Sequence, residues 1–368
     1  MMDACIDHTG TVEGLEKILE EASARAGGIL LLTCDGNGYE PRTINPVLGR
    51  LRVPVAGGLF PAVFVGNELL ERGSIAVQLP TTPQILAFGG KDLDHAGLRN
   101  SLVESGIEPL PTMLVLTDGL AFNANTLLDA LFDVFGLESK YLGGGAGSLT
   151  LQRRPCLITN KGMTEGGALV VALNLKCGIG VAHGHMRVGG PYQITAASGH
   201  VVHSIDWRPA ASYYRELIQQ YLQHDEDDSG GVISRNFCLA INRLDADFVV
   251  REPVKVCDDE SLEFATAMQE GELVDIVRAD SDKMQTVAFG ARDQAKRDLC
   301  TEPRTNLCFT CCSRRLFLGD NFDQELRGLE SGGVPIFGAI TVGGEIANNG
   351  ESYLDYYNRT CVVGSFEV

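Results

Sequence analysis

The sequence is short of positive charge: 30 lysines and arginines stand against 48 aspartates and glutamates, for a formal net charge of −18. No local lysine or arginine cluster offsets this, so nucleic acid and anionic membrane surfaces are not expected partners. Long apolar runs are also missing. None approaches the roughly 20 residues of a membrane span, and "MMDACIDHTG" has neither a basic leader nor an apolar signal stretch. The chain therefore reads as cytoplasmic, without membrane insertion. A disulfide framework is not expected either, because the 11 cysteines are odd in number and scattered through a long chain. Cys308 and Cys311 have CxxC spacing in "CFTCC", but no second pair exists, and on an extended strand they face opposite sides. Catalytic motifs are lacking: there is no Gly-x-Ser-x-Gly, no His-Glu-x-x-His and no catalytic-cysteine signature. This points away from an enzyme, with a metal-dependent enzyme on a two-domain α/β scaffold as the alternative.

What is present is the composition of a globular protein, 44% hydrophobic and 21% charged, at a length that suits two domains. "GLEKILEEASARAGG" places Leu15, Ile18, Leu19 and Ala22 on one helical face before a glycine stop. A second helix is expected from about Thr126 to Phe135, capped by Asn125. A third follows Pro209, with Ala210, Tyr213, Tyr214, Leu217, Ile218 and Tyr221 in a stripe. The acidic "HDEDDSGG" at 224–231 then has nothing to bury and marks a domain boundary.

Apolar strands recur. "ILLLTCDG", "MLVLTDGL" and "LCFTCCSR" each precede helix-compatible sequence; "VPVAGG", "YLGGGAG" and "VPIFGA" follow, and then hairpin-like apolar segments. The pattern predicts a mixed α/β (α+β) protein of two related sandwich domains with mixed sheets, built from repeated strand–helix–strand–hairpin units. "GGGAGS" fits neither dinucleotide nor P-loop spacing, so its glycines read as tight turns or close backbone approach.

"CSRR" at Cys312, "DQELRGL", "VPIFGAITVGGEIA" and the closing "NRTCVV", with the Arg251-Glu252-Pro253 step upstream, resemble the C-terminal half of the FIST family. "VPVAGG", "GALVVAL" and "GHMRVGGPYQIT" resemble its N-terminal half. Arg187 and Trp207 depart from the family pattern, standing where it has proline and glycine. With the N-terminal helix placed over 1–27 and the acidic linker at 224–231, the resemblance implies a FIST N-terminal domain over 28–223 and a FIST C-terminal domain over 232–368. It also implies a bacterial sensory protein that binds a small ligand and signals through a separate partner, such as a histidine kinase or a cyclic-dinucleotide enzyme. One branch of the family binds haem and senses nitric oxide; a small metabolite such as an amino acid is the other ligand considered.

Two constellations are candidates for that ligand. His183 and His185 in "VAHGHMRVGG", with His200 and His203, gather four of the seven histidines into 21 residues and would suit haem or a metal. On an extended strand, His183 and His185 would share a face. Arg251, Arg315 and Glu345 form the second, with Cys312, Gly343, Gly344 and Arg187 beside them. A guanidinium fork suits a carboxylate ligand or a buried glutamate equally well.

Overall fold

The computed structural model describes residues 2–89, 94–222, 236–330 and 333–367. Its strands confirm the repeated unit and show how the units interlock. The first comprises β1 (Ala4–Asp7), α1 (Val12–Ser23), β2 (Gly28–Cys34), α2 (Pro41–Leu48), β3 (Val55–Phe60), the hairpin β4 (Val63–Val65) and β5 (Glu68–Leu70), and β6 (Ser74–Leu79). The second has the same order: β7 (Gln84–Phe88), α3 (His95–Glu104), β8 (Thr112–Asp118), α4 (Ala124–Phe135), β9 (Lys140–Ala146), the hairpin β10 (Leu157–Thr159) and β11 (Gly162–Thr164), and β12 (Ala168–Leu173).

The third unit opens with β13 (Cys177–Ala182) and is then interrupted. An insert over 185–279 carries β14 (His185–Ser198), β15 (Val201–Ile205), β16 (Arg208–Pro209), α5 (Ala210–Gln219), β17 (Phe237–Ile241), β18 (Val249–Arg251), β19 (Pro253–Val256), β20 (Leu262–Phe264) and β21 (Leu273–Ala279). The unit resumes with α6 (Ser281–Arg297), β22 (Thr305–Cys311), α7 (Cys312–Leu318), α8 (Phe322–Glu330), β23 (Ile336–Thr341), the hairpin β24 (Glu345–Asn349) and β25 (Tyr353–Tyr357), and β26 (Cys361–Phe366).

Each unit builds one mixed sheet around a parallel pair, β2–β3, β8–β9 or β22–β23. None uses its own hairpin to finish that sheet. The second unit's β10–β11 adds to β3, the third unit's β24–β25 adds to β9, and the first unit's β4–β5 adds to β23, which closes a ring of exchanges. Strands β3, β9 and β23 touch one another at the centre. Backbones approach closely there: a Cβ on Gly145 would lie 1.8 Å from the Val342 carbonyl oxygen. The glycines of "GGGAGS" thus serve close strand approach.

The insert has its own sheet, in which β14 pairs with β21, and its own core of Ile194, Tyr214, Leu217, Phe237 and Phe264. α5 lays Ala210, Ala211, Tyr214, Leu217 and Ile218 into that core, while Tyr213 and Tyr221 are only partly buried. The boundary expected at 224–231 lies outside the described residues; strands from either side of it share one sheet. The stripe of α1 is buried as its spacing requires, with Thr11 capping the Gly14 N–H. α4 starts two residues earlier than its sequence suggested, with Asn123 rather than Asn125 at the cap. Among the described residues no helix is long and apolar enough to cross a membrane.

Candidate functional site

The β8–α4 turn is built by Asp118, whose carboxylate accepts the Leu120 N–H at 3.1 Å and the Gly166 N–H at 2.8 Å. This aims the first turn of α4 at the insert. Asn123 makes no side-chain cap bond, so the leading N–H groups of a twelve-residue helix have no side-chain acceptor from the cap residue. Two chambers lie between this turn and the insert. One, of about 280 Å³, is walled by Phe122, Arg153, His200, Thr266 and Tyr356. The other, of about 230 Å³, is walled by Asp129, Arg243, Arg251, Glu272 and Asp355. They share Asn123, Asn125, Ala267 and Tyr356, and together form a cleft at the C-terminal end of a parallel strand pair, where α/β sheets commonly bind ligands.

Charge in the cleft is unevenly matched. The Arg243 Nη2 donates to Asp355 at 2.7 Å, and Asn349 donates to the same carboxylate at 3.1 Å. Arg251 is 3% exposed, and its Nη1 donates to the Tyr356 carbonyl at 2.7 Å. Its Nε has no partner, and no carboxylate among the described residues pairs with it. Burial holds its pKa below the ordinary guanidinium value. Burial likewise raises the pKa of Asp129 on the facing helix.

The four histidines do not converge. Gly184 adopts φ +71° between β13 and β14, so His183 and His185 do not lie on one continuous strand, yet their rings are neighbours with centroids 5.8 Å apart. The His183 Nδ1 instead accepts the His185 N–H at 3.0 Å, and its Nε2 lies 3.2 Å from Asp247. Both rings are buried, and burial lowers the pKa of His185 well below its ordinary value. A Cβ on Gly184 would meet Val287 at 2.8 Å and Met284 at 3.0 Å, so the backbone between the two histidines packs closely against α6. His203 is exposed and bonds Ser198 at 2.8 Å, whereas His200 borders the cleft. Among the described residues no group of three or more His, Cys, Asp or Glu is placed to hold a metal ion.

Nor do Arg315, Arg251 and Glu345 meet as one group. Arg315 pairs at the surface with Glu71, and the buried cation is its neighbour Arg314, fully enclosed with Glu325 at 2.6 Å. Arg187 pairs with Asp275 and Asn242 within the insert. Gly343 and Gly344 form the β23–β24 turn against Gly119 and Tyr356, and Cys312 opens α7 beside Cys311. Cys308 packs instead toward Cys361, with sulfurs 3.7 Å apart.

Glu345 is fully buried and accepts from Thr341, while its Oε2 has no partner. Burial, with the Cys311 sulfur beside it, pushes its pKa well above 4.5. A carboxyl raised in the folded state stabilises fully below the unfolded value near 4.5, and this contribution is lost as pH rises toward the folded value. Glu345→Gln should therefore gain stability relative to the parent as pH rises above about 4.5, read by urea unfolding across pH. A constant difference at every pH would show that Glu345 keeps the same protonation in both states.

Sequence reasoning found Arg251 and His200 but missed Asn123, Arg243, Arg314 and Tyr356. The "FNANT" step after a strand carried the signal for Asn123. Arg314 was legible only as the other half of "CSRR".

In comparison with known proteins, a family model described as the FIST N domain matches residues 52–208, and one described as the FIST C domain matches residues 210–348. No curated protein matches the chain.

Proposed function

Because the chain belongs to the FIST family, whose domains are sensory, we propose that it binds a small metabolite, such as an amino acid, in the cleft between α4 and the insert and signals through a separate protein. A histidine kinase or a cyclic-dinucleotide enzyme is the partner class considered. The observation that carries this reading is the position of the cleft: it lies between a repeated framework with its own cores and an insert with another. A ligand there touches both bodies, so occupancy can change how they sit against each other, and only such differential contact can transmit a signal.

The test is hydrogen exchange of the whole chain with a metabolite panel. Binding should slow exchange at 119–126 and 265–272, and ligands that slow neither segment argue against the cleft. Haem, the other ligand the resemblance offers, is tested on the same protein: a Soret band lost on His200→Ala would replace the metabolite with haem.

A further inference from the structure

We infer that the cleft receives the carboxylate head of its ligand between the guanidinium of Arg251 and the N-terminus of α4; this rests on the cleft being the sensory site. Two independent features converge there. The first is the helix end, whose leading N–H groups and partial positive charge favour an anion, and whose cap residue Asn123 offers no side-chain acceptor. The second is Arg251, a side chain 97% removed from solvent by its 3% exposure. Taking a cation out of water is costly unless an anion meets it, and among the described residues the groups hydrogen-bonded to Arg251 are the Tyr356 and Val250 carbonyls, with Asp355 and Glu272 acting on it only at a distance.

The acids around Arg251 act on it without forming an ion pair. Asp355 is gripped by Arg243 and Asn349, and Glu272 accepts the Gln269 N–H at 2.9 Å. Asp129 stands on α4 across the chamber. Two guanidiniums thus face three carboxyl groups, which disfavours a doubly charged head. A planar, singly charged carboxylate matches the guanidinium fork better than phosphate does. The shared wall of Asn123 and Asn125 lets the rest of the ligand extend into the larger chamber beside Phe122 and Tyr356.

The probes are propionate, its neutral isostere propionamide, and inorganic phosphate, followed on the whole chain by saturation-transfer NMR and hydrogen exchange. Propionate should bind and slow exchange at 119–126, propionamide should not, and phosphate should bind more weakly. Arg251→Gln should lower propionate affinity about tenfold or more. Should that variant fail to fold, Asn125→Asp adds a negative charge to the first turn of α4, where acids favour the helix, and should weaken propionate about threefold. Equal binding of propionate and propionamide, no binding of propionate, or unchanged affinity in the folded variants would overturn the inference. If a neutral metabolite slows exchange in the cleft and propionate does not, the cleft stands and the carboxylate falls. If nothing in the panel slows it, both fall.

Discussion

Arg314→Ala should lower the unfolding free energy by about 3–5 kcal/mol, the range for breaking a buried ion pair from one side. Arg314 and Glu325 are both fully buried. Removing the guanidinium leaves Glu325 in the interior with Thr310 as its remaining side-chain donor among the described residues. It also strips donors from the carbonyls of His183, Met284 and Arg359. His183 lies where the chain leaves the framework for the insert, and Met284 where it has returned. One side chain therefore secures both crossings, and its loss should loosen the insert as well as the core. Urea unfolding gives the energy, and exchange at 183–185 and 279–284 gives the location. Arg315→Ala, one residue along at the surface, should change stability by less than about 0.5 kcal/mol. Equal effects at the two positions would refute this assignment.

Gly145→Ala should cost about 3 kcal/mol or more, at the upper end of overpacking. Its Cβ would lie 1.8 Å from the Val342 oxygen and 2.9 Å from the Gly119 Cα, both backbone atoms. Neither recedes easily, because Gly145 and the turn are tied by two hydrogen bonds, Gly145 N–H to Gly344 O and Val342 N–H to Gly145 O, each 2.9 Å. Gly119 also borders the cleft, so the substitution should disturb ligand binding together with stability. Gly290→Ala gives the contrast: nothing lies within 4 Å, the residue is exposed within α6, and the change should add about 0.5–1 kcal/mol. Thermal and urea unfolding of both variants checks the signs. A tolerated Gly145→Ala would mean that the three central strands do not meet as closely as described.

Local chemistry made much of the fold legible. The apolar stripe of α1 needed only helical spacing, and the three strand–helix–strand runs announced themselves by likeness to one another. The exchange of hairpins did not, because "FPAVFV" carries no local mark that its partner is β23, over 270 residues away, rather than its own sheet. The insert was hidden because His183 and Gly184 are all that lies between β13 and β14, with no long polar linker to announce a new sheet. That same glycine takes His183 and His185 off a single strand, although their rings still adjoin. Arg251 could be named from its setting in "VVREPV", but its lack of an acid partner depends on Asp355 being held by Arg243, 112 residues away in sequence.

The ring of exchanged hairpins sets a timetable for synthesis. The sheet around β2–β3 holds all its strands once Thr164 has left the ribosome, whereas the sheet around β8–β9 waits for Tyr357 and that around β22–β23 for Phe366. Until then β9 has no neighbour on its outer side, and β13 lacks β26, its partner strand among the described residues. Such open edges invite pairing with other chains. A messenger truncated just before Cys361 would therefore release a chain whose sheets around β2–β3 and β8–β9 are finished while that around β22–β23 is open, with β13 and β22 both lacking β26, so this six-residue strand is the step that closes the exposed edges.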